Sequence, residues 1–263
     1  MTRLVIEEVY GDVSFPDRDE RPYVLINMVT TLDGKAAAGG KASPLGSATD
    51  RAVMRNLRAR VDAVMIGAGT LRAEKLTLAV PEELAEAREA RGLKRQPLGI
   101  VASASGNVPL QTNLLGPSPD NSLILVPSGI PKESIASLSG CASVETLPKA
   151  LSSDPGFDLK KALNILKERH AVDALLVEGG PLLNYALVSS GLADEFFLTL
   201  TPKLIGGELY GSVTAFEGPA LSTDTGVRTE IVSVHLSGNE LFLRYVLNFR
   251  AAYRNNSRLS AEK

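Results

Sequence analysis

Residues 175–184 read LLVEGGPLLN, from Leu175 to Asn184. An apolar run of strand character, Ala174 to Val177, feeds two glycines, and Pro181 then opens an amphipathic helix that reaches Ser190. Glycines at such a junction let a ligand approach the backbone closely. Proline fits the first helical turn, whose N–H has no intrahelical partner to lose. The free amides and the positive end of the helix dipole favour an anion, suited to a phosphate or pyrophosphate. Glu178 sits at the carboxyl end of the strand, where open α/β sheets place their ligand chemistry. The stretch predicts a nucleotide site with an acid beside it. A strand-to-helix connection that merely needs glycines has the same pattern.

Outward from this unit, strands and helices alternate. Apolar runs predict strands over 23–29, 62–67, 98–102, 123–126 and 174–177. Helices are expected over 48–60, with Ser47 and Thr49 as candidate caps, over 81–92 as a charged surface helix, and over 157–170 and 181–190. In the 48–60 helix Val53 and Leu57 share one face at i,i+4. The last third reads differently: 195–201, 229–236 and 241–249 are strands without intervening helices. Together these predict an α/β protein with a mostly parallel sheet finished by antiparallel strands. No stretch has the composition of a domain linker, since the loop over 116–122 is only seven residues long, so residues 1–250 are expected to form a single domain. The polar tail 251–263 is expected to be disordered.

Composition narrows the function. The chain has 263 residues, 44% hydrophobic and 22% charged, with a net charge of −2, which argues against a polyanion-binding surface and so against nucleic acid. One cysteine, Cys141, and two histidines, His170 and His235, are too few for a Cys/His metal site or an intrachain disulfide, so no metal is expected. Cys141 has no cationic neighbour in sequence, and His235 on a strand reads as structural. The N-terminus lacks an uninterrupted apolar core and no run approaches the roughly 20 residues of a membrane helix; a cytoplasmic protein that does not span a membrane is expected.

Two further segments carry polar chemistry at strand ends. Gly67-Ala68-Gly69-Thr70 follows the 62–67 strand; with Arg at 72 it is not G-x-G-x-x-G, and no G-K-[ST] follows. Two glycine turns at the ends of two strands can still clamp one dinucleotide. Asn27 interrupts the apolar run of the first strand, which then leads through Thr30 and Thr31 to Asp33-Gly34. A buried amide of this kind needs a partner, whereas Asp-Gly by itself is a common turn.

Four blocks in register over residues 21–249, RPYVLINMVTTLDGK, LRARVDAVMIGAGT, LLVEGG and GLADEFFLTLTPKLIGG, resemble the reductase of riboflavin biosynthesis. That family has the dihydrofolate-reductase-like fold. The resemblance implies NADPH-dependent reduction of a ribosylamino-pyrimidine 5′-phosphate to the ribityl compound, with hydride transfer to the sugar C1′ of a ring-opened imine. No H-x-E or P-C-x-x-C of the deaminase often fused to this reductase is present, so a freestanding reductase is expected. Asn27 stands where many fused bacterial members carry Lys, which points to the archaeal and fungal type of substrate, with its 2-amino group retained.

Carried over residue by residue, the resemblance assigns Gly67, Gly69 and Thr70 to a cofactor turn and Gly179, Gly180, Pro181 and Leu182 to the pyrophosphate. Ser103 is placed toward the NADPH 2′-phosphate. Thr70 and Glu74 flank the substrate, Arg58 is placed to hold its 5′-phosphate, and Asn27, Asp33 and Glu178 line the same pocket. Glu178 or Asp33 is expected to bring the proton. The family commonly forms homodimers. Departures are local: Glu74 replaces the usual Asp, an Asp-Pro turn is missing, and Ala79 or Val80 stands near an expected arginine. Reduction of dihydrofolate or another compound, or nucleotide binding without catalysis, is the alternative reading.

Overall fold

The computed structural model describes residues 6–10, 13–42, 44–74, 76–109, 119–150, 156–206, 213–221 and 226–247. The expected tail, the loop at 116–118 and the end of the last predicted strand lie outside these residues. In chain order the elements are α1 (Ile6–Tyr10), β1 (Tyr23–Thr31), α2 (Ala48–Arg58), β2 (Ala63–Gly67), α3 (Ala68–Ala73), α4 (Glu82–Glu89), β3 (Leu98–Ala102), β4 (Ser122–Pro127), α5 (Lys132–Ser139), β5 (Ser143–Leu147), α6 (Leu159–His170), β6 (Ala174–Val177), α7 (Pro181–Ser189), β7 (Glu195–Thr201), β8 (Glu230–Ser237) and β9 (Glu240–Val246).

Among the described residues nine strands form one sheet in the order β5-β4-β3-β2-β6-β1-β7-β9-β8. Neighbours from β5 through β7 are parallel, while β7–β9 and β8–β9 are antiparallel. The central strands read as unbroken apolar runs because both faces are covered. Along β1 and β2, Leu25, Val64 and Ile66 face a layer with Val53 and Leu57 of α2, while Ile26, Ala63 and Met65 face Leu163 and Leu166 of α6 and Leu187 of α7. The expected mixed sheet stands, and the C-terminal ends of β1, β2, β3 and β6 lie together at one edge of its parallel part.

Six elements differ from the sequence reading. α3 begins immediately after Gly67, where only a turn is expected; α1, α5 and β5 are additional. β5 is a half-exposed edge strand of mixed composition, SVETL, so it carries no continuous apolar signal. The helix expected from Phe157 starts at Leu159, because Asp158 caps it by accepting the Lys161 N–H. α4 is charged, but it is not wholly a surface helix. Arg88 is 0% exposed and donates to the carbonyls of Arg58, Val61 and Lys94, so a guanidinium closes the C-terminal end of α2. Burial lowers its pKa to about 10, which still leaves it charged at neutral pH.

Candidate active site

The strand ends open into a cavity of about 860 Å³, a size suited to a small-molecule or cofactor ligand. β1 and β6 pair through Ile26 and Val177, so the next residue on each, Asn27 and Glu178, emerges at this cavity. Gly67 ends β2 beside Ala102 of β3, and Ser103 follows.

One wall is made by the two glycine turns. The Gly67 N–H donates to the Gly179 carbonyl at 2.8 Å. A Cβ on Gly67 would lie 3.0 Å from the Gly180 nitrogen, and one on Gly180 would lie 2.9 Å from Thr70 Oγ1. Gly179, with φ of +86°, occupies a conformation that side-chain-bearing residues rarely adopt. Helix α7 starts at Pro181 with Gly180 as its N-cap and no side-chain cap, so no side chain claims its first-turn amides. Gly69, Pro181 and the half-exposed Leu182 line the same wall. Bare backbone in such a place suits a pyrophosphate.

Beside this wall, on the β3 side, are Ser103, Ser105 and Arg72. Ser103 is buried, and its hydroxyl accepts the Gly106 N–H at 3.1 Å, which shapes the loop and leaves the O–H proton to donate. Arg72, exposed on α3, donates to the Asn107 carbonyl at 2.6 Å, which holds its guanidinium next to that loop.

The other end is charged. Arg58 is almost wholly buried and grips Glu178 through both ends of the carboxylate, Nε to Oε1 at 2.7 Å and Nη2 to Oε2 at 2.6 Å. Its remaining nitrogen donates to the Thr77 carbonyl at 2.6 Å. Every guanidinium nitrogen is therefore engaged within the protein, so Arg58, expected to hold a substrate phosphate, here holds Glu178 at the cavity wall. The same α2 face turns Asp50, Arg51, Met54 and Arg55 to the cavity, with Arg51 and Arg55 exposed and the Arg51 Nη1 bonded to the Gly46 carbonyl. The spacing i, i+1, i+4, i+5, i+8 is one helix stripe, legible once Val53 and Leu57 define the adjoining core face. Asn27 faces the cavity, and no hydrogen bond engages its side chain among the described residues. Glu74 also lines it, accepting the Ala42 N–H and so tying two walls together.

Asp33 also differs from its expected place. It does not line the cavity. Its carboxylate accepts the Thr31 hydroxyl at 2.6 Å and the amides of Ile205 and Gly206, pinning the chain that leaves β7. The Thr31 hydroxyl and then the Gly206 amide stabilise the charged form and lower its pKa to about 2, so it carries no proton to deliver near neutral pH.

Comparison with known proteins gives the family of the chain. The profile of the RibD C-terminal domain matches residues 22–243, so the chain belongs to that family. It is 33% identical over 71% of its length, and 83% of the relative's, to a 2,5-diamino-6-ribosylamino-4(3H)-pyrimidinone 5′-phosphate reductase of Archaeoglobus fulgidus. Identity is 27% over 86% of this chain and 99% of the protein of the same name from Methanothermobacter thermautotrophicus. The fold matches a pyrimidine reductase-like protein of Corynebacterium diphtheriae with a TM-score of 0.75 at 24% identity, covering 93% of this chain and 99% of that one.

Proposed function

We propose that this chain is an NADPH-dependent reductase of riboflavin biosynthesis that converts the ribosylamino group of a pyrimidine ribose 5′-phosphate to a ribitylamino group. One observation carries the reading: a single cavity holds a glycine-walled cradle beside the Arg58-locked Glu178 and Asn27. The relatives named as reductases of the diamino-pyrimidinone phosphate support the same substrate class.

The cradle fits a dinucleotide, because a Cβ at Gly67 or Gly180 would fill the space between the turns. Gly67, Gly69, Thr70 and the Gly179–Leu182 turn would hold the pyrophosphate, and Arg72 with Ser103 would hold a 2′-phosphate, favouring NADPH over NADH. When bound, the dihydronicotinamide supplies the hydride. The protein aligns the substrate and excludes water. Glu178, fixed by Arg58, accepts hydrogen bonds from pyrimidine N–H groups or ribose hydroxyls. Asn27 offers both a donor and an acceptor to the pyrimidine edge. Arg51 and Arg55, one turn apart and exposed at the cavity, suit the 5′-phosphate.

For assembly we infer a homodimer of cytoplasmic protein. β8 is the terminal strand of the sheet and leaves Val232, Val234 and Leu236 about half to two-thirds exposed along one side, a face that a second copy can cover. Among the described residues no helix is long and apolar enough to cross a membrane. Sedimentation of a concentration series should give twice the chain mass, and Leu236→Lys should halve it; a monomer at micromolar concentration would refute the pairing.

The activity is tested by NADPH absorbance with the diamino-ribosylamino-pyrimidinone 5′-phosphate, its deaminated analogue and dihydrofolate in parallel. Turnover of the diamino compound, lost in Glu178→Ala, is expected. Turnover of dihydrofolate alone would overturn the reading.

A further inference from the structure

We propose that Asp50 is the proton donor of this reduction, delivering its carboxyl proton to the nitrogen of the C1′=N bond. The inference rests on the reading above, that a ring-opened imine is reduced in this cavity. In the step, C1′ gains a hydride from the dihydronicotinamide. The C=N π pair becomes an N–H bond to the Asp50 proton, the substrate is reduced by two electrons, and Asp50 is left as a carboxylate that solvent reprotonates.

Among the described residues three carboxyl groups line the cavity, and their bonding separates them. Glu178 accepts from Arg58 at both oxygens, an ion pair that needs the carboxylate form. Glu74 accepts a backbone N–H from Ala42. Asp33, the other residue expected to bring a proton, lies outside and is fully ionised near neutral pH. Asp50 is partly buried and has the carboxylates of Glu240 and Glu178 among its neighbours, which favour its proton.

Its placement has a structural cause. Ser47 is the N-cap of α2, so Asp50 stands at the third helical position, where an acid ordinarily reaches back to the N-cap amide. Here that amide donates to Glu240 of β9 at 3.1 Å, and the Ser47 hydroxyl also donates to Glu240. Glu240 has taken over the capping bond, and the Asp50 side chain is released to the cavity. It lies over Gly46, where a Cβ would sit 1.9 Å from Asp50 Oδ2, so only glycine leaves room for the carboxyl group. The groups facing Asp50 are Thr199 of β7, Glu240 of β9, Glu178 after β6, Arg51 on its own helix, and Tyr10 of α1. Two carboxylates outnumber the one exposed guanidinium, and the aromatic neighbour is a neutral phenol. Burial first, then the charges of Glu240 and Glu178, outweigh the opposing pull of the Thr199 hydroxyl and Arg51, and raise the pKa to about 6. A carboxyl group so placed keeps a useful fraction of its proton near neutral pH.

The test compares wild type, Asp50→Asn and Asp50→Glu by kcat against pH, by cofactor and product binding, and by carbon-13 NMR titration of the carboxyl groups. Wild-type kcat should fall tenfold per pH unit above a limb near the Asp50 pKa of about 6, and a resonance with that midpoint should vanish in Asp50→Asn. Asp50→Asn should lower kcat about 100-fold or more while binding stays within about 3-fold, and Asp50→Glu should restore part of the rate. Asp50→Asn with near-wild-type kcat and an unchanged limb would overturn the assignment while leaving the reductase intact. An Asp50 resonance titrating in the ordinary carboxylate range would overturn it equally. A wild type that binds NADPH and reduces neither pyrimidine would overturn the underlying reading, and the proton donor with it.

Discussion

Replacing Arg58 by methionine tests the ion pair at the heart of the site. The side chain is 5% exposed and Glu178 is 9% exposed, so the pair lies in a medium where an unpaired carboxylate is costly. Arg58 also donates to the Thr77 carbonyl and thereby joins α2, the 76–79 segment and the end of β6. Breaking a buried pair by removing one partner typically costs 3–5 kcal/mol; Glu178 borders a cavity that water can enter, so the lower end, about 3 kcal/mol, is expected. In a chain of this size that lowers Tm by roughly 6–12 °C. Arg58→Lys, which keeps the charge but loses the two-pronged geometry, should cost about 1–2 kcal/mol. Urea unfolding followed by circular dichroism reads these differences, and the double variant Arg58→Met with Glu178→Gln should recover about 2 kcal/mol, since no charge is then left buried. A cost for Arg58→Met below about 1 kcal/mol, or strict additivity in the double variant, would refute the pairing argument. The competing role gives a different pattern. If Arg58 held the substrate phosphate, its loss would raise KM for the phosphorylated substrate and spare the dephosphorylated riboside; the structure instead predicts equal losses in kcat/KM for both.

Three other perturbations address the remaining walls. Arg72→Ala should weaken NADPH binding by roughly 10-fold or more while leaving NADH within about 2-fold, as expected for one lost charge-assisted contact to a phosphate; fluorescence titration with both cofactors decides, and equal weakening would remove Arg72 from the 2′-phosphate. Gly67→Ala places a Cβ 3.0 Å from the Gly180 backbone nitrogen, so the two turns must part; we expect cofactor affinity to fall about 10-fold or more with a stability loss of roughly 1–3 kcal/mol. Asp33→Asn should leave cofactor affinity unchanged but alter the acid limb of stability. The folded pKa of Asp33 is held at about 2, below its ordinary value, so its contribution is present above the unfolded pKa and is lost as pH falls through the folded one. Thermal melts between pH 5 and 2 should show a shallower decline in the variant, and identical slopes would reject the role given to Thr31 and the Ile205 and Gly206 amides.

Legibility followed the range of the interactions. The central strands could be read because a strand covered on both faces needs unbroken apolar residues, and the glycine turns because close backbone approach excludes a Cβ. Arg88 escaped notice because a buried guanidinium satisfied by carbonyls has the local sequence of any charged helix. β5 escaped because a half-exposed edge strand is selected by its neighbour rather than by its own pattern. Asp50 escaped because the relevant fact, Glu240 occupying the Ser47 amide, joins residues 193 positions apart.

The sequence by itself determined the alternation of strands and helices, the antiparallel finish of the sheet and the glycine-lined strand ends, all of which depend on contacts within one element or on the absence of a side chain. Only the tertiary structure decided what each charged residue does. Arg58 is seen to clamp Glu178, Asp33 to anchor the chain after β7, and Asp50, Arg51, Arg55 and Arg72 to join the cavity wall. A charge is assigned by whatever lies within a few ångströms of it, and for these residues most of those neighbours come from distant parts of the chain.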